Sequence, residues 1–306
     1  MRKIVGIGET MFDIIFRDGC PSAGVPGGSV FNSLVSLGRM NVPVQFISEI
    51  GDDPVANLTL EFMQANRMST QYVCRCHGRR SPIALAFLDA HNDASYTFYK
   101  DYPANRLDID FPTLEEDDIV LLGSYYVIDP TLRHKVVELL EEARRKRAIV
   151  YYDPNFRAAH RDEAVKLTPS ILENLEYADI VRGSADDFAN MYQMEDADRI
   201  YRDKIAFYCP RFIYTAGGKE VRLYTRQHRQ VYEVPQLSPV STIGAGDNFN
   251  AGILFGLLRQ RIRHCDLDNL SPSDWDGVIR CGLDFSAEVC MSMHNYVSTE
   301  FAERYK

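Results

Sequence analysis

The 306-residue chain reads as an α/β protein: a doubly wound, mostly parallel sheet flanked by helices, with a small β-sheet lid. Three observations carry that reading. Short β-branched or apolar runs alternate with stretches of helical spacing almost throughout. Those runs, among them Ile119–Gly123 and Ile149–Asp153, end on glycine or a polar residue. Two regions, about 12–26 and 83–100, break the rhythm with strand-like segments. Parallel strands covered by crossover helices on both faces appear as such continuous apolar runs.

In chain order, Ile4–Gly8 is the first buried strand, and Phe12–Pro26 follows it with weak alternation and no helix. Val30–Met40 has helical spacing, with Leu34, Leu37 and Met40 on one face. Val44–Ile50 reads as a strand and Pro54–Ala65 as a helix. Ile83–Ala90 and Ser95–Lys100 are strand-like, with a hairpin turn expected at His91–Ala94; together with 12–26 they are expected to lie over the active-site edge. Ile119–Gly123, Ile149–Asp153, Asp179–Arg182 and Phe212–Ala216 follow as strands, with helices at Leu132–Arg145, Ala164–Tyr177 and Ala185–Tyr192 between them. Val221–Thr225 and Gln230–Val234 form a further hairpin. An apolar helix from Phe249, a polar loop at Arg261–Ser273 and a helix at Trp275–Met293 complete a single domain over 1–306. Right-handed crossovers then gather the functional loops at the carboxyl ends of the strands.

Hydrophobic residues at 45% and charged residues at 25% are ordinary for a globular chain, and 306 residues allow an ample core. A formal net charge of −9 argues against nucleic acid or an anionic membrane as partner. The seven cysteines are scattered, odd in number and without Cys-x-x-Cys pairs, and the seven histidines lack metal-ligand spacing. No apolar run approaches the ~18 residues of a membrane span, and Met1-Arg2-Lys3-Ile4 enters a strand without a signal-peptide core. The expectation is a cytoplasmic protein with reduced thiols.

Residues 240–252, Val-Ser-Thr-Ile-Gly-Ala-Gly-Asp-Asn-Phe-Asn-Ala-Gly, carry the most chemistry. Gly244, Ala245 and Gly246 at a helix start can turn backbone N–H groups toward one point, where the helix dipole also favours negative charge. Asp247 places a carboxylate beside that anion site. Phosphoryl transfer to an alcohol needs both parts: donors for the charge on the moving group and a base near the attacking hydroxyl. A glycine turn with an aspartate in the first helical turn gives the same letters, and the two readings are equally open on this motif alone.

A second element decides between them. Pro26-Gly27-Gly28-Ser29-Val30-Phe31-Asn32, followed by Leu37-Gly38 and Ile50-Gly51-Asp52-Asp53, is similar to the first signature of the ribokinase (PfkB) family, and 240–252 resembles the second. The resemblance runs nearly end to end and implies an ATP- and Mg²⁺-dependent sugar kinase. It assigns Asp247 as catalytic base and Gly244, Ala245 and Gly246 as the anion hole. It places a sugar-binding aspartate at Asp13, with Gly27, Gly28 and Asn32 also at the sugar. Asp153-Pro154-Asn155-Phe156-Arg157 resembles the Asp-x-Asn-x-Arg element of fructokinase-like members and tilts the substrate toward fructose. Asp153 and Asn155 are expected to face the same way along an extended chain, and Arg157 suits a hydroxyl or a phosphate oxygen.

On the nucleotide side, Ser184 and Asp187 occupy the positions of a family Asn-x-x-Glu element that helps organise Mg²⁺, and Thr215 and Gly217 match a turn near the nucleotide. Ser184 with Asp187 also reads as a helix cap and first-turn acid. Ser241 and Ile243 replace an aspartate and a threonine of the second signature, which puts activation by a monovalent cation in doubt. Among Tyr96-Thr97-Phe98-Tyr99, Phe98 or Tyr96 is the expected ring at the sugar, although packing accounts for the same pattern. The resemblance also leaves room for a homodimer through the lid, and for a ribose, nucleoside or 2-keto-3-deoxy sugar acid kinase, or a catalytically weak sugar- and nucleotide-binding regulator.

Overall fold

The computed structural model describes residues 2–88 and 94–305. It contains two sheets. The large one has ten strands: β1 (Ile4–Ile7), β4 (Val44–Ile50), β5 (Met68–Ser69), β6 (Val73–Arg75), β9 (Ile119–Gly123), β10 (Ile149–Asp153), β11 (Ile180–Ser184), β12 (Phe212–Thr215), β13 (Glu220–Tyr224) and β14 (Arg229–Glu233). Their order is β14-β13-β12-β11-β10-β9-β1-β4-β5, with β6 also pairing β4. From β12 to β5 every pairing is parallel; β13 and β14 add an antiparallel edge. The small sheet, β3-β2-β7-β8, comprises β2 (Met11–Arg17), β3 (Cys20–Gly27), β7 (Ile83–Leu88) and β8 (Ala94–Tyr99). It is separate from the large sheet rather than an edge extension of it. The turn expected at 91–94 lies, save its last residue, outside the described residues.

Strand alternation splits the core in two. Ile4, Leu121 and Tyr151 join the apolar cluster beneath α1 (Ser29–Arg39), α2 (Pro54–Ala65), α7 (Ala245–Arg259), α8 (Pro272–Cys290) and α9 (Thr299–Arg304). Val5, Leu122 and Tyr152, one residue along, join the cluster beneath α3 (Arg133–Lys146), α4 (Ala164–Tyr177), α5 (Ala185–Tyr192) and α6 (Ala197–Ile200). Such two-sided burial is why these strands lack a polar face.

Local chemistry accounts for the boundaries. Asp53 caps α2 by accepting the Ala56 N–H at 2.9 Å, and Pro54 needs no partner in the first turn. Ser271 and Asp274 form a capping box that starts α8 at Pro272, three residues before the expected Trp275. Asp179 lies just outside β11; its carboxylate accepts the Val150 N–H at 2.8 Å and fixes the neighbouring strand's entry. The short helix α9, absent from the periodicity reading, is capped by Ser298.

Candidate active site

The N-terminus of α7 meets α1 across a buried polar seam at the carboxyl edge of the sheet. Gly244, the N-cap, holds φ 78°, a left-handed conformation suited to glycine, and a Cβ there would lie 3.0 Å from the Asn295 backbone. Asn248 ties this turn down by donating to the Gly244 and Asn295 carbonyls, both at 2.8 Å. The Ala245 N–H turns to the Thr242 carbonyl at 3.2 Å. The first-turn N–H groups of Gly246 and Asp247 are left without a backbone acceptor among the described residues, the condition for an anion site.

Asp247, in that first turn, is only 7% exposed. Asn32 of α1 donates its Nδ2 to the Asp247 carboxylate at 2.8 Å, and Ser33 holds the Asp247 carbonyl at 2.7 Å. Burial pushes the Asp247 carboxyl up to about 6; the Asn32 hydrogen bond and the charges of Arg157 and Arg182 offset part of that rise. The Asn32 Oδ1 is buried with no partner among the described residues.

Asp13 faces the same space from β2. A Cβ on Gly27 would lie 2.8 Å from the Asp13 Oδ2 and 3.9 Å from the Asn32 Oδ1, so Gly27 keeps this corner open. Burial alone pushes the Asp13 carboxyl up to about 7. Gly28 holds φ 127°, and a Cβ there would sit 2.3 Å from the Glu9 carbonyl, so only glycine lets α1 start so close to β1.

Strand register places Ala84, Ala86, Phe98 and Tyr96 on the Asp13 face of the small sheet. The two alanines are buried and small, while Phe98 and Tyr96 stand half exposed, stacked 5.8 Å apart. Asp13, Arg157 and Asp247 all act on the Tyr96 hydroxyl, which burial chiefly pushes up. Arg157 is exposed and enters no ion pair among the described residues. Asp13, Asn32, Tyr96, Arg157 and Asp247 therefore converge on one region, with Phe98 stacked on Tyr96 beside it.

The remaining expected residues form a different group. Asp153 is 1% exposed and its carboxylate is taken up by the Arg182 Nη1 at 2.8 Å, the Asn250 Nδ2 at 2.6 Å and the Asn155 N–H at 3.1 Å. Asn155 holds φ 41°, so the extended chain stops at Asp153 and the expected alternation of Asp153 with Asn155 does not hold. Thr215 accepts from the Arg182 Nη2 at 2.7 Å. Gly217, at φ 54°, lies in the exposed turn between β12 and β13.

Asp187 closes a capping box with Ser184 at the start of α5, and its other oxygen accepts the Phe156 N–H at 2.7 Å. Burial, then the Asp153 charge, raise the Asp187 carboxyl. With those bonds made and 5% exposure, Asp187 offers no free face to a hydrated Mg²⁺. Residues 182–187 thus fit a metal poorly. Ser241, in place of the second signature's aspartate, accepts the Ile243 N–H at 3.2 Å and supplies no carboxylate to a monovalent cation.

Sequence reasoning passed over Arg182, Asn248 and Asn250. A signal for Arg182 existed: a charged residue inside the apolar run Asp179–Gly183 must be exposed or paired.

The pfkB family carbohydrate kinase profile matches residues 1–293. The chain belongs to that family. Members are carbohydrate kinases, phosphotransferases with an alcohol acceptor. A fructokinase of Rhizobium leguminosarum bv. trifolii is 27% identical over 260 residues, covering 83% of this chain and 79% of that protein. A 2-dehydro-3-deoxygluconokinase of Haemophilus influenzae is 26% identical over 284 residues, covering 85% and 88%. Among solved structures, the fructokinase of Vibrio cholerae O395 bound to fructose, ADP and calcium has a TM-score of 0.83 at 17% identity, covering 97% of this chain and 96% of that one. The aminoimidazole riboside kinase of Salmonella enterica, bound to aminoimidazole riboside and an ATP analogue, has a TM-score of 0.82 at 21% identity, covering 99% and 98%. At those identities the structures establish the ribokinase-like fold of this PfkB chain. Among the described residues no helix is long and apolar enough to cross a membrane.

Proposed function

We propose that this PfkB-family protein transfers the γ-phosphate of ATP to a primary hydroxyl of a sugar, with fructose as the acceptor. One observation carries the reading: Asp247, buried and hydrogen-bonded by Asn32, stands in the same helical turn as the unpaired N–H groups of Gly246 and Asp247 and shares its cleft with Asp13. In the proposed reaction the sugar hydroxyl passes its proton to the Asp247 carboxylate. Its oxygen bonds to the γ-phosphorus as the bond from that phosphorus to the ADP oxygen breaks. The N–H groups of Gly246 and Asp247 stabilise the charge on the moving group, while that of Ala245, expected to join them, is held by the Thr242 carbonyl. Asp13 and the free Asn32 Oδ1 accept sugar hydroxyls, and the Tyr96 and Phe98 rings cover the sugar's apolar face. The phosphate donor in this reading is the Mg²⁺ complex of ATP, the metal being part of the substrate.

Arg157, exposed, without an ion-pair partner among the described residues and near enough to Asp247 for its charge to act there, favours a second reading in which the acceptor is a keto-deoxy sugar acid whose carboxylate it pairs. ADP release measured across fructose, ribose, a nucleoside and 2-keto-3-deoxygluconate separates these. Fructose turning over fastest supports the first reading, and the sugar acid doing so supports the second. No sugar-dependent ADP from any of the four contradicts both and supports a binding regulator.

Replacing Na⁺ with K⁺ is expected to change the rate less than about twofold, since no carboxylate at Ser241 holds a cation near the anion hole. The free thiols of all seven cysteines support a reducing, cytoplasmic location. The outer face of the small sheet, with Phe87 and Tyr99 exposed, supports a homodimer through the lid, which sedimentation in solution would test.

A further inference from the structure

Arg182 is the buried charge in this region that the proposed reaction has not used. It lies in β11, is 7% exposed, and its Nη1 and Nη2 are spent on Asp153 and Thr215. Asp153 ends β10 on the acceptor-side element, while Thr215 ends β12 on the nucleotide-side turn. The guanidinium packs under α7: a Cβ on Gly246 would lie 3.2 Å from both Nη1 and Nη2, so the missing side chain there gives the cation room. Its Nε is buried without a partner among the described residues, and Phe249 of α7 packs against it with the guanidinium carbon 5.7 Å from the ring centroid.

A buried cation against the first turn of a helix adds to the positive potential that the free N–H groups already create. Asp153 pairs with it through Nη1, and Asn250, one helical turn beyond Gly246, donates to the same Asp153 carboxylate at 2.6 Å. Coulomb attraction at this separation is only weakly screened, because water is excluded.

We propose that Arg182 is a positioning residue for phosphoryl transfer: it braces the Gly244–Gly246 turn from beneath, supplies fixed positive charge under the anion hole, and couples the β10 and β12 ends across it. The inference rests on the kinase reading of Asp247 and its turn, and it predicts an effect on phosphate binding that does not require turnover.

The test compares Arg182→Gln and Arg182→Lys with wild type, each checked for native circular dichroism. Arg182→Gln is expected to lower kcat about thirtyfold or more with KM for the sugar within about threefold, and Arg182→Lys, which keeps the charge, to restore most of it. Removing the cation is also expected to move the acid limb of the pH–rate profile upward. The groups acting on Asp247 are Asn32, Arg157, Asp153 and Arg182, and Arg182 favours the ionised carboxylate. Calorimetry with a non-hydrolysable ATP analogue and with ADP provides the turnover-free arm. Arg182→Gln should weaken the analogue at least about fivefold more than ADP, because only the analogue places a γ-phosphate over Gly246.

Arg182→Gln leaves Asp153 as an uncompensated buried charge, which can prevent folding. If that variant does not fold, the Asp153→Asn, Arg182→Gln double variant replaces the ion pair with an amide pair and carries the same kcat and calorimetric expectations, but not the upward acid limb, because Asp153 acts on Asp247 in the opposite sense. A folded charge-free variant with kcat within about threefold of wild type, or equal weakening of analogue and ADP, overturns the proposal. Should wild type show no kinase activity at all, the kinase reading fails, and the analogue-to-ADP ratio still decides the role of Arg182.

Discussion

The two walls of the cleft differ in how their polar groups are satisfied. On the wall built by β2, α1 and the small sheet, groups stand open: Asp13 is raised by burial alone, the Asn32 Oδ1 is orphaned, and Arg157 is unpaired among the described residues. On the wall built by the ends of β10, β11 and β12, groups are locked together: Asp153, Arg182, Thr215 and Asn250 form one network, and Asp187 and Ser184 another. An open polar wall is what a ligand rich in hydroxyls would complete. A locked wall is what a site needs when it must hold charge in place without reorganising. On the proposed kinase reading, the contrast matches acceptor recognition to the first wall and transition-state stabilisation to the second.

Breaking the junction of the two walls should have the largest effect. Asp247→Asn keeps the shape and the Asn32 contact but cannot accept a proton, so kcat should fall about a hundredfold or more with sugar affinity within about threefold. A fall of less than about tenfold in steady-state turnover would contradict the base assignment. Next comes the α7 turn that lies over the locked wall. Gly244→Ala puts a Cβ 3.0 Å from the Asn295 backbone at φ 78°. It should cost about 1–2 kcal/mol of stability and lower kcat about tenfold, read by thermal melting and initial rates. The open wall should respond in binding instead. Asp13→Ala is expected to raise KM for the sugar about tenfold while KM for ATP stays within about twofold. Equal rises in both would erase the distinction between the walls.

The smallest effect is a proton count. Asp13 and Asp247, raised to about 7 and about 6, hold their protons more tightly folded than unfolded. Their ionisation therefore lowers stability as pH rises from about 4, the ordinary carboxylate value, through about 7. Activity runs the other way, because Asp247 must be ionised: the rate should fall as pH drops through about 6. Sugar hydroxyls donating to Asp13 favour its charged form, so fructose binding near pH 6.5 should release protons. Calorimetry in two buffers of different ionisation enthalpy reads that number, and proton uptake would contradict the open-wall assignment.

Much of the architecture was legible in the sequence where a local rule determined it. Val44–Ile50, Pro54–Ala65 and Ile149–Asp153 match the observed elements because continuous apolar runs, a capping aspartate and a first-turn proline act within a few residues. The two-residue β5 and three-residue β6 were not legible, being too short for any periodicity. The same division holds at the site. The Gly-Ala-Gly-Asp turn and the Ser184–Asp187 cap are local and were read. The Arg182 contacts reach 29 residues back to Asp153 and 33 forward to Thr215, distances at which only the folded sheet brings side chains together. Asn155 was misplaced because alternation was extended one step beyond the strand, past Pro154 and into a left-handed turn.

Phosphorus NMR of the wild-type protein incubated with ATP, Mg²⁺ and fructose tests the central claim most directly, because it distinguishes transfer to a sugar from transfer to water. A new phosphomonoester resonance, coupled to the protons of a primary carbon and growing in step with ADP, is the result this account predicts. ATP consumed to ADP and inorganic phosphate alone, or left intact with fructose and each of the other three acceptors, would contradict it.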